Sequence, residues 1–503
     1  MKRTFLIGIL LLFFAFQEAG FALGGSPLSL SYAGGTGDGA SYSRFSENKW
    51  SYKYQYHVFV LTGNTPQGSV FSQLQLEERD EKTGIAYGRL NLYGSTYSIE
   101  LGDSVANFSD ITVNSLSYQG LGITLKPYSN FNVSFIGGSR GHGIWGADVR
   151  RDNREKENFT AIRSVYYPGW GLGFNTTFLT TPAGGDVIAY GSEYVFKDLK
   201  LGAEYGSAAE GKAFRGEIKY QTNWLTLGTI YRDVDSTYKM PFDYIGYQGM
   251  KGTYSTLTLR PMNNMNLNIQ SNSYVDRSLD GINGDPDLTI NENRGDVSYN
   301  MNTGTSVGYS GWKSDRSAYD RGGISEGEVM YITQQFYLLT KNAIYYRFQP
   351  SWFEATSTAE ADNNYYEDKN VTGINIALLD ALHLNYEIEN TTRFLKNIDT
   401  TLNPKAFSVR MDLYESPIMG TPLSIASSVN YRRDMSDVDV DEEDTTSLYE
   451  DVTFRYAPDQ DLNCYVTVKI LKMHTPDDNR GTMEQKDVSF GLNYSFNTNF
   501  LLK

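Results

Sequence analysis

A two-residue period runs along almost the whole chain: apolar residues recur at every second position, with polar, charged or glycine residues between them. Near residue 382 the apolar set is Leu382, Leu384, Tyr386 and Ile388, interleaved with His383, Asn385, Glu387 and Glu389. Around 214 it is Phe214, Ile218 and Tyr220 against Arg215, Glu217 and Lys219, and around 464 it is Cys464, Val466, Val468 and Ile470 against Asn463, Thr467 and Lys469. Such segments are strands with one face suited to oil and the other to water.

A soluble sandwich has the same period, so repetition decides between the two. About 26 such segments fall between Ser29 and Phe500, most of them long enough for a tilted strand to cross a hydrocarbon layer. A sandwich of that size divides into domains, and no composition break or linker marks a boundary here. The connections alternate as well. Short turns rich in Pro, Asn, Asp and Gly fall at Lys126–Phe131, Lys197–Leu199, Gln221–Trp224, Arg260–Met265, Asn302–Thr305, Lys341–Asn342, Asp380–Ala381 and Pro458–Leu462. Between them lie longer polar loops such as Ser139–Asn158, Asp233–Gly249, Asp276–Asn293 and Arg432–Ser447. The fold class implied is all-β, a single large antiparallel transmembrane β-barrel of about 26 strands, with a range of roughly 20 to 26.

The first residues read as a secretory signal. Lys2 and Arg3 precede the apolar run Phe5 to Phe16, and Gly20, Phe21 and Ala22 offer a small-x-small cleavage site. The expected division is therefore residues 1–22 as signal peptide and 23–503 as the barrel, with export to a bacterial outer membrane. No cysteine follows the cleavage site, which argues against a lipoprotein. Strands begin soon after it, so no separate plug domain is expected.

A single cysteine, Cys464, excludes an intrachain disulfide framework and CxxC redox or metal motifs. The net charge of −15 argues against nucleic-acid binding, which needs a basic stripe. The 38 Tyr and 26 Phe suit aromatic girdles at two membrane interfaces. The four histidines, His57, His142, His383 and His474, are scattered, and no HExxH, haem or phosphate-loop motif is present, so neither an enzyme nor a bound cofactor is expected.

Three clusters carry candidate function. The lumen-facing set includes Arg215, Glu217, Lys219, Glu387 and Glu389, along with Arg89, Glu100, Glu204 and Lys469, charges of both signs suited to a water-filled channel or to internal pairing. The loop Ser139–Asn158 is basic in an acidic protein, with Arg140, Arg150 and Arg151 around a GIWG centre. It either folds into the lumen as a constriction selecting anions, or lies in solvent with its arginines paired to Asp148, Asp152, Glu155 and Glu157. The loop DVDVDEED offers Asp437, Asp439 and Asp441 as hard oxygen ligands for Ca²⁺, and equally reads as a solubilising acidic tip.

In the last strand, Ser489, Gly491, Tyr494 and Phe496 resemble the C-terminal signal that the bacterial barrel-assembly machinery reads. ELGDSVANF and SYQGLGITL, through Leu101, Gly102, Asp103, Phe108 and Gly120, resemble early barrel strands of pilus ushers, and the strand number is similar to that of sleeve-type barrels such as ushers and porin-cytochrome conduits. Three functions are consistent with these readings: a pore for solute or polymer, a sleeve around a partner in a secretion or electron-transfer conduit, and a structural or adhesive surface barrel. The partners implied are outer-membrane lipid, the barrel-assembly machinery, and a periplasmic or lumen-filling protein.

Overall fold

The computed structural model describes residues 27–497 apart from 44–45, 66–67, 80–81, 109–110, 113–115, 141–157, 182–184, 239–248, 278–287, 318–321, 339, 356–363, 380, 397, 419–420, 436–444, 460 and 475–481. Among the described residues, 26 antiparallel strands form one closed barrel. An extra short strand, Thr400–Leu402, pairs among the described residues with Leu382–Leu395 alone, as a loop ornament.

Closure is made by the first strand. Pro27–Ser43 pairs with its sequence neighbour Ser46–Thr65 on one side and with the last strand, Thr482–Asn497, on the other. Closing the ladder removes the unpaired edges that hydrocarbon could not solvate. Alternation then sorts the side chains. Ile218 is 55% exposed, and Tyr386, Ile388, Phe454 and Val466 are exposed as well, all on the outer face. The intervening Arg215, Glu217, Glu387 and Thr467 face inward, where Thr453 and Thr467 share a hydrogen bond of 2.8 Å. An apolar outside over a polar inside on a closed barrel defines a membrane-spanning barrel.

The short turns lie at one end, and the longer connections at the other, which in such barrels faces outward from the cell. One expected turn moves. Lys341–Asn342 belongs to the strand Thr340–Ala355, because the Asn342 side-chain oxygen accepts the backbone N–H of Ala377 at 2.8 Å and stays buried; the ladder with the preceding strand runs on to Leu338↔Thr340. At the tip of another short turn, Gly169, Trp170 and Gly171 all have positive φ, and Trp170 is 90% exposed.

Candidate pore lining and inward-folded segment

Among the described residues, several inward-facing charges are paired. On the strand Lys212–Gln221, Arg215 meets Glu217 at 3.1 Å, and Lys200 from the neighbouring strand reaches the same carboxylate at 3.4 Å. Lys219 continues that face, half exposed, directly across the ladder from Lys200. On the strand Leu382–Leu395, Glu389 accepts Lys369 at 2.7 Å and lies 3.9 Å from Arg432, while the hydroxyl of Tyr345 donates to Glu387 at 2.7 Å. The two groups stand on separate arcs of the wall, many strands apart in either direction. Arg89 and Glu100, 3.5 Å apart, add a third inward pair. Charge pairs that line a wall in this way keep it wet without strong preference for either sign.

The basic-loop residues Arg150 and Arg151 lie outside the described residues, as do Asp437, Asp439 and Asp441; Arg140 ends the strand Phe131–Arg140, and its side chain is likewise not described. The last strand places Tyr494 opposite Leu30, on the lipid side, and in the same register pairs Phe496 with Leu28, Gly491 with Ala33 and Ser489 with Gly35. A Cβ on Gly491 would sit 2.3 Å from the Tyr465 ring, so glycine is needed for that ring to lie flat on the strand.

What sequence reading missed is an inward fold elsewhere. The strand Tyr97–Ala106 pairs with Lys82–Gly94 only from Arg89↔Gly102 to Tyr93↔Ser98 among the described residues. At Gly102 the backbone takes φ 96° and the two strands part. Asp103 bridges the gap: its carboxylate accepts the backbone N–H of Gly88 at 2.7 Å and the Gln119 amide at 3.5 Å. Beyond it, Phe108, Ile111 and Thr112 are buried against the inner wall rather than standing out in water.

That wall is apolar where they land. Leu116, Tyr118, Ile136, Phe159, Leu179, Val187 and Val234 form one buried cluster with Phe108 and Ile111. Tyr238, from the segment following the strand Leu225–Val234, closes over it and donates its hydroxyl to the Ile111 carbonyl at 2.9 Å. Two glycines make the room. A Cβ on Gly206 would lie 2.5 Å from the Tyr238 hydroxyl, and one on Gly211, at φ 100°, 2.6 Å from the Tyr238 nitrogen. The Arg163 guanidinium sits 5.8 Å from the Phe108 ring centre. Burial, with Glu204 nearby, pushes the Tyr238 phenol well above its usual range.

A sequence signal for this cluster existed. At the outward ends of these strands two adjacent residues are apolar, as in Phe135–Ile136, Ala161–Ile162, Phe178–Leu179 and Val187–Ile188. Apolar residues on both faces mean that something covers the inside.

Among the described residues no group of three or more His, Cys, Asp or Glu could hold a metal ion. The fold and lining together define a large transmembrane β-barrel of the bacterial outer-membrane type. Among solved structures it is similar to the translocation pore of the P pilus usher PapC, at 10% identity over 92% of this chain and 99% of that one, with a TM-score of 0.40. A BenF-like porin from Pseudomonas fluorescens Pf-5 is similar at 10% identity over 94% of this chain and 100% of that one, TM-score 0.36. An E. coli P pilus tip assembly intermediate, PapC-PapD-PapK-PapG, is similar at 11% identity over 92% of this chain and 60% of that one, TM-score 0.47. No protein-family model matches the chain, and no curated protein matches it in sequence.

Proposed function

We propose that this chain is a passive outer-membrane pore for hydrophilic solutes, exported by its N-terminal signal, inserted by the barrel-assembly machinery through its last strand, and performing no covalent chemistry. The observation that carries the reading is the inner wall, where Arg215, Glu217, Lys200, Lys369, Glu389 and Arg432 form paired clusters of both signs on separate arcs. Compensated charge makes an aqueous wall that passes polar molecules and binds none of them tightly. Phe108, Ile111 and Tyr238, packed together on the inner wall, narrow the outward mouth from one side.

Planar-bilayer recording on the purified full-length protein is the test. Discrete steps of roughly nanosiemens size with weak ion selectivity are expected. A silent barrel that co-purifies with a protein in its lumen would replace this reading with a sleeve around that partner.

A further inference from the structure

The apolar belt of the outer wall is broken on one arc. At a height of roughly 15 to 20 Å above the short turns, the strands Asn158–Gly169, Gly185–Phe196, Leu199–Ser207 and Lys212–Gln221 carry Ile162, Ile188, Tyr205 and Phe214, all exposed. On the strands Met265–Asp276, Leu288–Asn300 and Thr305–Ser317 the outward positions at that height are Ser271, Asn293, Gly295, Gly311 and Lys313. They share the ladder face of Ile269, Tyr309 and Met330, which are exposed on the outside. The next strand, Gly322–Leu338, sets Glu328 opposite Gly311 and Glu326 opposite Lys313.

The hydrocarbon that such a barrel crosses is about 25 Å deep and begins near the short turns, so this polar strip lies within it. Part of its polarity is met inside the chain. The Ser271 hydroxyl donates to the Asn293 side-chain oxygen at 2.7 Å, Lys313 lies 3.6 Å from Glu326, and the Tyr309 hydroxyl bonds Glu328. The ammonium of Lys313, the two carboxylates and the Asn293 amide nitrogen still turn outward, where acyl chains give them nothing to bond. Protein is the cover that fits.

The strip is complementary to itself. Gly295 lies directly opposite Gly311, so two adjacent outward positions carry no side chain and leave a cavity of about 420 Å³ beside Glu328. Copies inserted by one route share one orientation, so a twofold axis relating two of them runs along the membrane normal and groups at similar depth meet. With that axis between Thr305–Ser317 and Gly322–Leu338, Lys313 of each copy faces Glu326 of the other. Glu328 of each then enters the other's glycine cleft, beside the Asn293 amide. Four strands about 4.8 Å apart over the depth of the hydrocarbon give roughly 500 Å² per copy, or about 1,000 Å² in total, the size at which specific association begins. Glycines at the contact let the two walls approach closely.

We propose that this strip is the contact between two copies of this chain, a twofold dimer joined by reciprocal Lys313–Glu326 pairs and by Glu328 seated in the opposing Gly295–Gly311 cleft. The lumen takes no part in the contact, so conductance per barrel is the same with or without it.

The test is subunit counting by single-molecule photobleaching of the full chain, labelled through an N-terminal tag, in lipid vesicles over a range of protein-to-lipid ratios. Wild type is expected to count as two at dilutions where Lys313→Glu alone and Glu326→Lys alone each count as one, an association at least about tenfold weaker. Mixing these two variants restores the count of two, because each pair between copies again joins opposite charges while the pair within each chain stays like-charged. Gly295→Leu also counts as one; a Cβ there finds no atom closer than 4.0 Å, so the barrel keeps the heat-modifiable gel migration of the folded form. Wild type that counts as one at every density, Gly295→Leu that still counts as two, or a mixture that stays monomeric overturns the dimer. A count of three, or a different polypeptide recovered in fixed ratio and lost in Gly295→Leu, overturns it as well.

Discussion

Tyr238 is the one side chain whose removal should release the inward-folded segment while leaving the barrel intact. It is fully buried, its phenol end fills the space left by Gly206 while its backbone passes close to Gly211, and its hydroxyl donates to the Ile111 carbonyl at 2.9 Å. Tyr238→Phe keeps the ring and leaves that carbonyl without its donor, a loss of about 1 to 1.5 kcal/mol, or roughly a tenfold larger open population. Tyr238→Ala removes the ring as well, about 3 to 5 kcal/mol, raising the open population by a factor of some hundreds or more. Native-state hydrogen exchange on the reconstituted barrel reads both. Peptides containing Phe108, Ile111 and Thr112 should exchange faster in that order, whereas the strand Leu382–Leu395 on the far arc should not change. Conductance should rise in Tyr238→Ala, since the segment no longer occupies the mouth. The reasoning fails if neither variant alters exchange, or if the far strand accelerates by the same factor, because the loss would then be global.

Four further outcomes are expected. The folded phenol of Tyr238 is raised above its unfolded value, so the contribution of its protonated form to stability is complete below about pH 10. Exchange of the segment, corrected for intrinsic rate, should be flat from neutral pH to that point and rise only as alkali ionises the phenol; opening on mild acidification would contradict this sign. Glu389→Gln leaves Lys369 and Arg432 without their shared carboxylate and should move the reversal potential in a salt gradient toward anions, while Tyr345→Phe on the same arc should not. In the short turn, Gly171→Ala sets a Cβ 1.8 Å from the Val195 carbonyl at a backbone with φ 78°, and should lower stability in urea titration by about 2 kcal/mol or more. Trp170→Asn in the same turn relieves a bulky residue at φ 54° and should stabilise the turn by about 1 kcal/mol in detergent; a loss in lipid alone would show that the indole anchors the barrel in the interface.

The barrel was legible because its signal is local. Each strand repeats the alternation, as in Leu382 to Glu389, and the closing strand Val488 to Phe496 shows its two faces plainly. The error at Lys341–Asn342 has a local cause and a distant correction: Asn and Lys read as a turn, but the Asn342 amide caps the Ala377 N–H on the next strand and extends the ladder. The charges Arg215, Glu217 and Lys219 share one face of their strand by parity, as do Glu387 and Glu389 on theirs, and the ladder carries that parity across to the neighbouring strands. Their division into separate clusters was not readable, because the partners Lys200, Lys369 and Arg432 come from other strands whose register sets the distance.

The sequence by itself determined the class of fold, the face of each residue and the closing strand, since a two-residue period acts through neighbouring backbone sterics and burial and needs no distant information. Only the tertiary structure decided what the barrel does with its interior and its outer wall. Phe108 and Ile111 are buried because strands well downstream in sequence supply Leu179, Val187 and Val234, and Tyr238 locks them from farther still. The cleft at Gly295 and Gly311 exists because one register sets two glycines side by side. A register shift of two residues would have kept every side chain on its own face and changed which residues stand side by side, and that choice is made by long-range pairing rather than by any segment alone.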